Sequence, residues 1–125
     1  VIPSIFNKLK NNQKPLFENP DHSRCFLYMS DAIYFFVKAL KPSFKNQTVN
    51  IANPNEEIKI KDLVNKIKKI LSINTKIKYK NVKNLSIVRR MPSILKAKKL
   101  IRTKIKFTKL DQGLLLLSKY YENKN

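Results

Sequence analysis

The segment Lys61 to Leu71 constrains this chain most. Leu63, Val64, Ile67, Ile70 and Leu71 recur at helical spacing, with lysines on the opposite side. A helix with such a stripe must bury it against another layer. The flanking segments supply candidates. Strand-like and helix-like stretches alternate along most of the chain, which predicts an α/β fold.

Ser4 to Asn11 places Ile5, Phe6 and Leu9 on one helix side, with Ser4 as the expected cap. Pro15 ends that helix, and Leu16-Phe17-Glu18 reads as a short strand before a turn at 19–22. Cys25 to Met29 is extended and apolar, and reads as a mostly buried strand. Ser30-Asp31 then offers a helix start. The helix Ala32 to Leu40 is expected to bury Ile33, Phe36, Val37 and Leu40.

Pro42 and Ser43 mark a surface loop. Thr48 to Ala52 reads as a strand, 53–55 as a turn, and Ile58-Lys59-Ile60 as the approach to the periodic helix. Thr75 to Tyr79 reads as an edge strand blunted by lysines. Asn81 to Arg90 reads as loop. A short helix capped at Ser93 and a last helix from Leu110 to Tyr121 complete the pattern.

The 125 residues suit one domain with a modest core. The chain starts Val1-Ile2-Pro3, and the expectation is that the natural protein begins earlier. No secretory signal and no membrane-spanning apolar run is legible. Cys25 is the only cysteine, which fits a reducing compartment and hence a cytoplasmic location. The net charge of +19 admits two readings. One is a nucleic-acid or acidic-partner binder. The other is compositional drift: 23 of the 27 basic residues are Lys, and Asn and Ile occur 14 times each, all with A/T-rich codons. The lysines are spread along the chain rather than clustered, and no nucleic-acid-binding module is recognisable. Drift is the preferred reading, and nucleic acid is not the expected partner.

Five segments, in order, resemble the C-terminal half of the extended short-chain dehydrogenase/reductases, the NAD-dependent epimerases and dehydratases of nucleotide sugars. They are Val1-Ile2-Pro3 before a helix, Ser23 to Asp31, Val49 to Pro54 leading to Ile58-Lys59-Ile60-Lys61-Asp62-Leu63, Arg89 to Leu100, and Asp111-Gln112-Gly113-Leu114. The resemblance covers essentially the whole chain. It departs at Glu18-Asn19-Pro20, where the family has a Gly-Asp-Gly turn, at Cys25 and Ser93, where it usually has Asp, and at Ile101 to Ile105.

The resemblance implies that residues 1–125 form a substrate-binding C-terminal domain, the NAD-binding Rossmann domain lying outside them. It implies that Arg24 contacts the nucleotide or its diphosphate, and that one arginine of the Arg89-Arg90 pair clamps the diphosphate, Arg90 being preferred. A guanidinium is always charged and forks onto phosphate oxygens. Phe17 is a candidate for the nucleobase pocket, although a strand Phe is more often core. NAD or NADP would belong to the missing domain, with none bound by this segment, which alone is not expected to be catalytic. The intact enzyme would be a homodimer acting on a nucleotide sugar in carbohydrate biosynthesis.

Other candidates are weaker. Asp31 reads as an N-cap rather than a base. His22 lacks companions for a metal site. Cys25 reads as buried and inert. Tyr34 with Lys38, and Tyr120 with Lys124, fit the spacing of the family's Tyr-x-x-x-Lys dyad, but the family's own dyad lies upstream and both are rejected. With Gly113 the only glycine, a Gly-rich dinucleotide cradle is impossible here.

Overall fold

The computed structural model describes residues 1–11, 15–83 and 87–122. Among these residues five α-helices and five short strands are interspersed along the sequence, as in an α/β chain. Helix α1 (Ile2–Lys10) begins with Val1 at its cap position and Pro3 in its first turn. Proline suits that place because the first-turn N–H groups have no partner within the helix. Ser4 does not cap it, because the helix starts two residues earlier than expected. Strand β1 (Leu16–Glu18) pairs in parallel with β4 (Lys78–Lys80). The lysine-flanked edge segment thus finds a partner, in a two-stranded sheet whose exposed strand presents Lys78 and Lys80.

A second sheet has the order β3 (Glu57–Lys59), β2 (Ser23–Cys25), β5 (Arg89–Arg90). Strand β2 runs antiparallel to β3 and parallel to β5. The expected buried strand over 25–29 is corrected. Pairing stops at Cys25, residues 25–28 are only half-buried, and Met29 already belongs to helix α2 (Met29–Ala39). The segment read as loop over 81–90 ends in strand β5; residues 84–86 of it lie outside the described residues.

Helix α3 (Ile60–Ile70) buries Leu63, Val64 and Ile67 completely, each with 0% exposure. They meet Ile5, Phe6 and Leu9 of α1 and Leu110 and Leu114 of the last helix, α5 (Leu110–Glu122), with Phe17 of β1 joining them. The rings of Phe6 and Tyr121 stack at 5.3 Å. A smaller cluster gathers Phe35 of α2, Phe44 of the 3-10 turn Pro42–Phe44, and Ala97 and Ile101 of helix α4 (Leu95–Ile101). The cap position of α4 is Ile94; Ser93 Oγ accepts only a long 3.5 Å bond from the Leu95 N–H.

Helix α2 reverses the expectation made for it. Its inward residues are Asp31 and Phe35, while Ile33, Phe36, Val37 and Leu40 are 53%, 62%, 58% and 84% exposed. With Met29, also exposed, they form one apolar stripe facing solvent. Beside this, Thr48 to Ala52, expected as a strand, adopts no regular pairing. No helix among the described residues is long and apolar enough to cross a membrane.

Candidate functional site

The three candidate arginines divide between the two faces of the three-stranded sheet, while Phe17 lies on β1 of the other sheet. Side chains alternate along a strand, and register neighbours share a face. Arg24 of β2 is the register partner of Arg90 on β5 and of Ile58 on β3. Arg24 and Arg90 therefore stand side by side on one face, on strands spaced roughly 5 Å apart. Ser23 is the register partner of Arg89 and of Lys59, so Arg89 lies on the other face.

Phe17 and Arg24 line a cleft of about 660 Å³. Ser4, Ile5 and Lys8 of α1 form one wall, Pro15 to Asn19 another, and His22, Arg24 and Ile60 close the end. Arg24 is half-buried there. Its Nη1 donates to the Ser23 carbonyl at 2.6 Å and the Val88 carbonyl at 3.2 Å, which aims the guanidinium across the β2–β5 seam. A guanidinium has five donors, and these contacts use one nitrogen. Phe17 is 6% exposed and belongs to the core cluster, with the Lys8 ammonium 5.3 Å from its ring centre. Asn19 makes the turn at the cleft mouth with φ of 48°, where the resembled family has its Gly-Asp-Gly turn. Asn tolerates that left-handed conformation. Its Oδ1 accepts from the Val82 N–H at 2.9 Å.

Arg89 is engaged elsewhere. Its Nε and Nη2 fork onto the Glu57 carboxylate, both at 2.8 Å, and Ser23 Oγ donates to the same group. These bonds hold the Glu57 carboxyl at about 2, with Arg89 as the largest cause and Ser23 next, and they raise Arg89 in turn. The cleft on this side is lined by Asp21, Glu57 and Asp62 together with Lys59 and Arg89, and those two cations are already paired with Asp21 and Glu57. Among the described residues no salt bridge uses Arg24 or Arg90. Two like charges opposite one another destabilise a strand pair, and an anion between them would relieve the repulsion.

Asp31 is not an N-cap; Tyr28 holds that position. Instead the Asp31 carboxylate accepts from the Thr108 N–H at 2.8 Å and from Thr108 Oγ1 at 3.0 Å. Asn53, 1% exposed, donates from Nδ2 to the Thr108 carbonyl at 3.3 Å. This polar knot joins the start of α2, the 53–56 turn and the entry to α5. It is not legible from the amino acids alone, because its partners are 77 and 55 residues apart and no local pattern marks them. Cys25 is half-buried and its thiol bonds to the Asn53 carbonyl; burial raises its pKa, which suits an unreactive thiol.

Tyr34 and Lys38 do not form a proton-relay pair. Lys38 lies over the Tyr34 ring at 5.1 Å, and the Tyr34 hydroxyl meets Thr103 Oγ1 at 2.9 Å. Lys124 of the other Tyr-x-x-x-Lys match lies outside the described residues. Among the described residues no group of three or more His, Cys, Asp or Glu could hold a metal. Gly113 lies within α5, where an added Cβ would stand 3.0 Å from the Tyr28 ring. The only glycine thus serves helix packing, and these residues do not fit a dinucleotide cradle.

No protein-family model and no curated protein matches the sequence. The fold does have solved counterparts. An epimerase from Methanothermobacter thermautotrophicus aligns with TM-score 0.87 at 16% identity, over 99% of this chain and 37% of that one. UDP-glucose 4-epimerase from Thermotoga maritima, solved with UDP-glucose, gives 0.84 at 16%, over 98% and 39%. dTDP-glucose 4,6-dehydratase from Bacillus anthracis, solved with NAD, gives 0.83 at 22%, over 99% and 39%. The chain thus spans about two fifths of the length of these proteins. At such identities the likeness establishes the fold: nearly the whole chain has the α/β arrangement of part of an epimerase- or dehydratase-type enzyme.

Proposed function

We propose that this chain is the substrate-binding part of an NAD(P)-dependent nucleotide-sugar epimerase or dehydratase. Arg24 and Arg90 grip the diphosphate of the nucleotide sugar, and Phe17 contributes to the floor of the adjoining cleft. The observation that carries the reading is the register of β2 against β5, which sets on one sheet face two arginines with no salt bridge among the described residues. Solved counterparts with UDP-glucose or NAD bound support the ligand class.

The dinucleotide site belongs to a second folded unit outside these 125 residues. The open apolar stripe of α2 is the surface on which that unit packs. When bound there, NAD(P) supplies reversible hydride transfer at the sugar; residues of this chain bind and orient the substrate. The segment alone is not catalytic. The intact enzyme is a cytoplasmic homodimer.

Calorimetric titration with UDP, with uridine as control, tests this. UDP should bind and uridine bind far more weakly, because a charge-assisted hydrogen bond contributes about 1.5–3 kcal/mol. Arg24→Ala or Arg90→Ala should each weaken UDP by about tenfold or more. Equal binding of UDP and uridine would refute the diphosphate grip. Affinity for DNA or RNA that falls steeply with salt, with none for UDP, would favour a basic nucleic-acid-binding module instead.

A further inference from the structure

Strand β5 is two residues long, yet it sets Arg90 opposite Arg24. Backbone pairing over so short a strand holds a register weakly. On the opposite face of the sheet, however, Glu57 spans all three strands. From β3 its carboxylate takes two bonds from Arg89 of β5 and one from Ser23 of β2. Arg89 Nη2 also reaches Met91 Sδ at 3.1 Å. A bidentate guanidinium–carboxylate pair fixes orientation as well as distance. Because Arg89 and Arg90 are consecutive, fixing Arg89 on one face fixes the origin of the Arg90 side chain on the other. The lowered pKa of Glu57, about 2, keeps the clamp charged at neutral pH.

We infer that Glu57 is a positioning residue for the phosphate grip: through Arg89 and Ser23 it locks β5 against β2 and so holds Arg90 beside Arg24. This rests on the diphosphate-binding reading above. It adds to it a residue that touches no ligand, and it makes Arg89 a strut rather than a ligand contact.

A coupling experiment on the 125-residue chain tests it, with UDP as the probe. Glu57→Gln should leave the circular dichroism unchanged and weaken UDP about three- to tenfold. That loss should vanish in the Arg90→Ala background and persist in the Arg24→Ala background, because the clamp acts on β5. A general loosening of the fold would weaken both backgrounds alike, and that result would overturn the inference. So would Glu57→Gln binding UDP like the parent while Arg24→Ala and Arg90→Ala weaken it; that outcome leaves the diphosphate reading standing. A parent chain that ignores UDP overturns both. Amide hydrogen exchange gives a readout independent of ligand. Exchange at Arg89 and Arg90 should quicken several-fold in Glu57→Gln, and an unchanged rate would contradict the clamp.

Discussion

Helices α2 and α3 are the same length and each carries an apolar stripe, yet that of α3 is buried and that of α2 faces solvent. In α3, Leu63, Val64 and Ile67 pack against α1 and α5, both available within the chain. In α2, the inward side is anchored by Phe35, which stacks on Phe107 at 6.2 Å, and by the Asp31–Thr108 bonds. Ile33, Phe36, Val37 and Leu40 are left outside. Periodicity reveals that a helix has an apolar face; it does not say which molecule or domain covers it. A contiguous exposed patch of this kind marks an interaction surface.

Substitutions sharpen that contrast. Leu63→Ala or Ile67→Ala should cost about 2–5 kcal/mol in denaturant unfolding, since each empties a filled core site. A loss under 1 kcal/mol would mean that the three-helix core is not what stabilises the chain. Asp31→Ala should cost about 1–3 kcal/mol, because it strips an acceptor from two Thr108 donors at once. Phe36→Ser, on the open stripe, should change stability by no more than about 0.5 kcal/mol and reduce concentration-dependent association in sedimentation. Marked destabilisation by Phe36→Ser would show that the stripe is already covered within the chain.

The smallest effect concerns Glu57. Its carboxyl sits at about 2 in the folded chain, below the ordinary 4.5. A depressed carboxyl stabilises the fold above the ordinary value, and the contribution is lost as pH falls from about 4.5 through 2. Carbon-13 NMR should place the Glu57 midpoint near the lower value, moving up in Arg89→Ala. An ordinary midpoint in the parent would show that the pair is not formed in solution.

These contrasts explain what could be read from the amino acids. Helices α1, α3 and α5 were legible because their partners lie within the chain and their apolar residues keep one period. Strand β5 was not, because it is two arginines with no apolar alternation. Its existence depends on β2, 64 residues away in sequence at the Arg24–Val88 contact. The candidate arginines were named from resemblance and from their scarcity among lysines. The resemblance prefers Arg90 of the Arg89–Arg90 pair, but that it stands opposite Arg24 is legible only in the structure, since strand parity exists only once the register is fixed. The Glu57 clamp was invisible for the same reason.

The proposed second, cofactor-binding unit over α2 implies more coding sequence in frame with this chain. Reading the coding sequence immediately upstream of Val1 tests it most directly. An in-frame segment with a Gly-rich strand–turn–helix, the phosphate cradle that one glycine cannot build, is the expected result. An in-frame stop codon, or an upstream sequence with no such cradle, would contradict it.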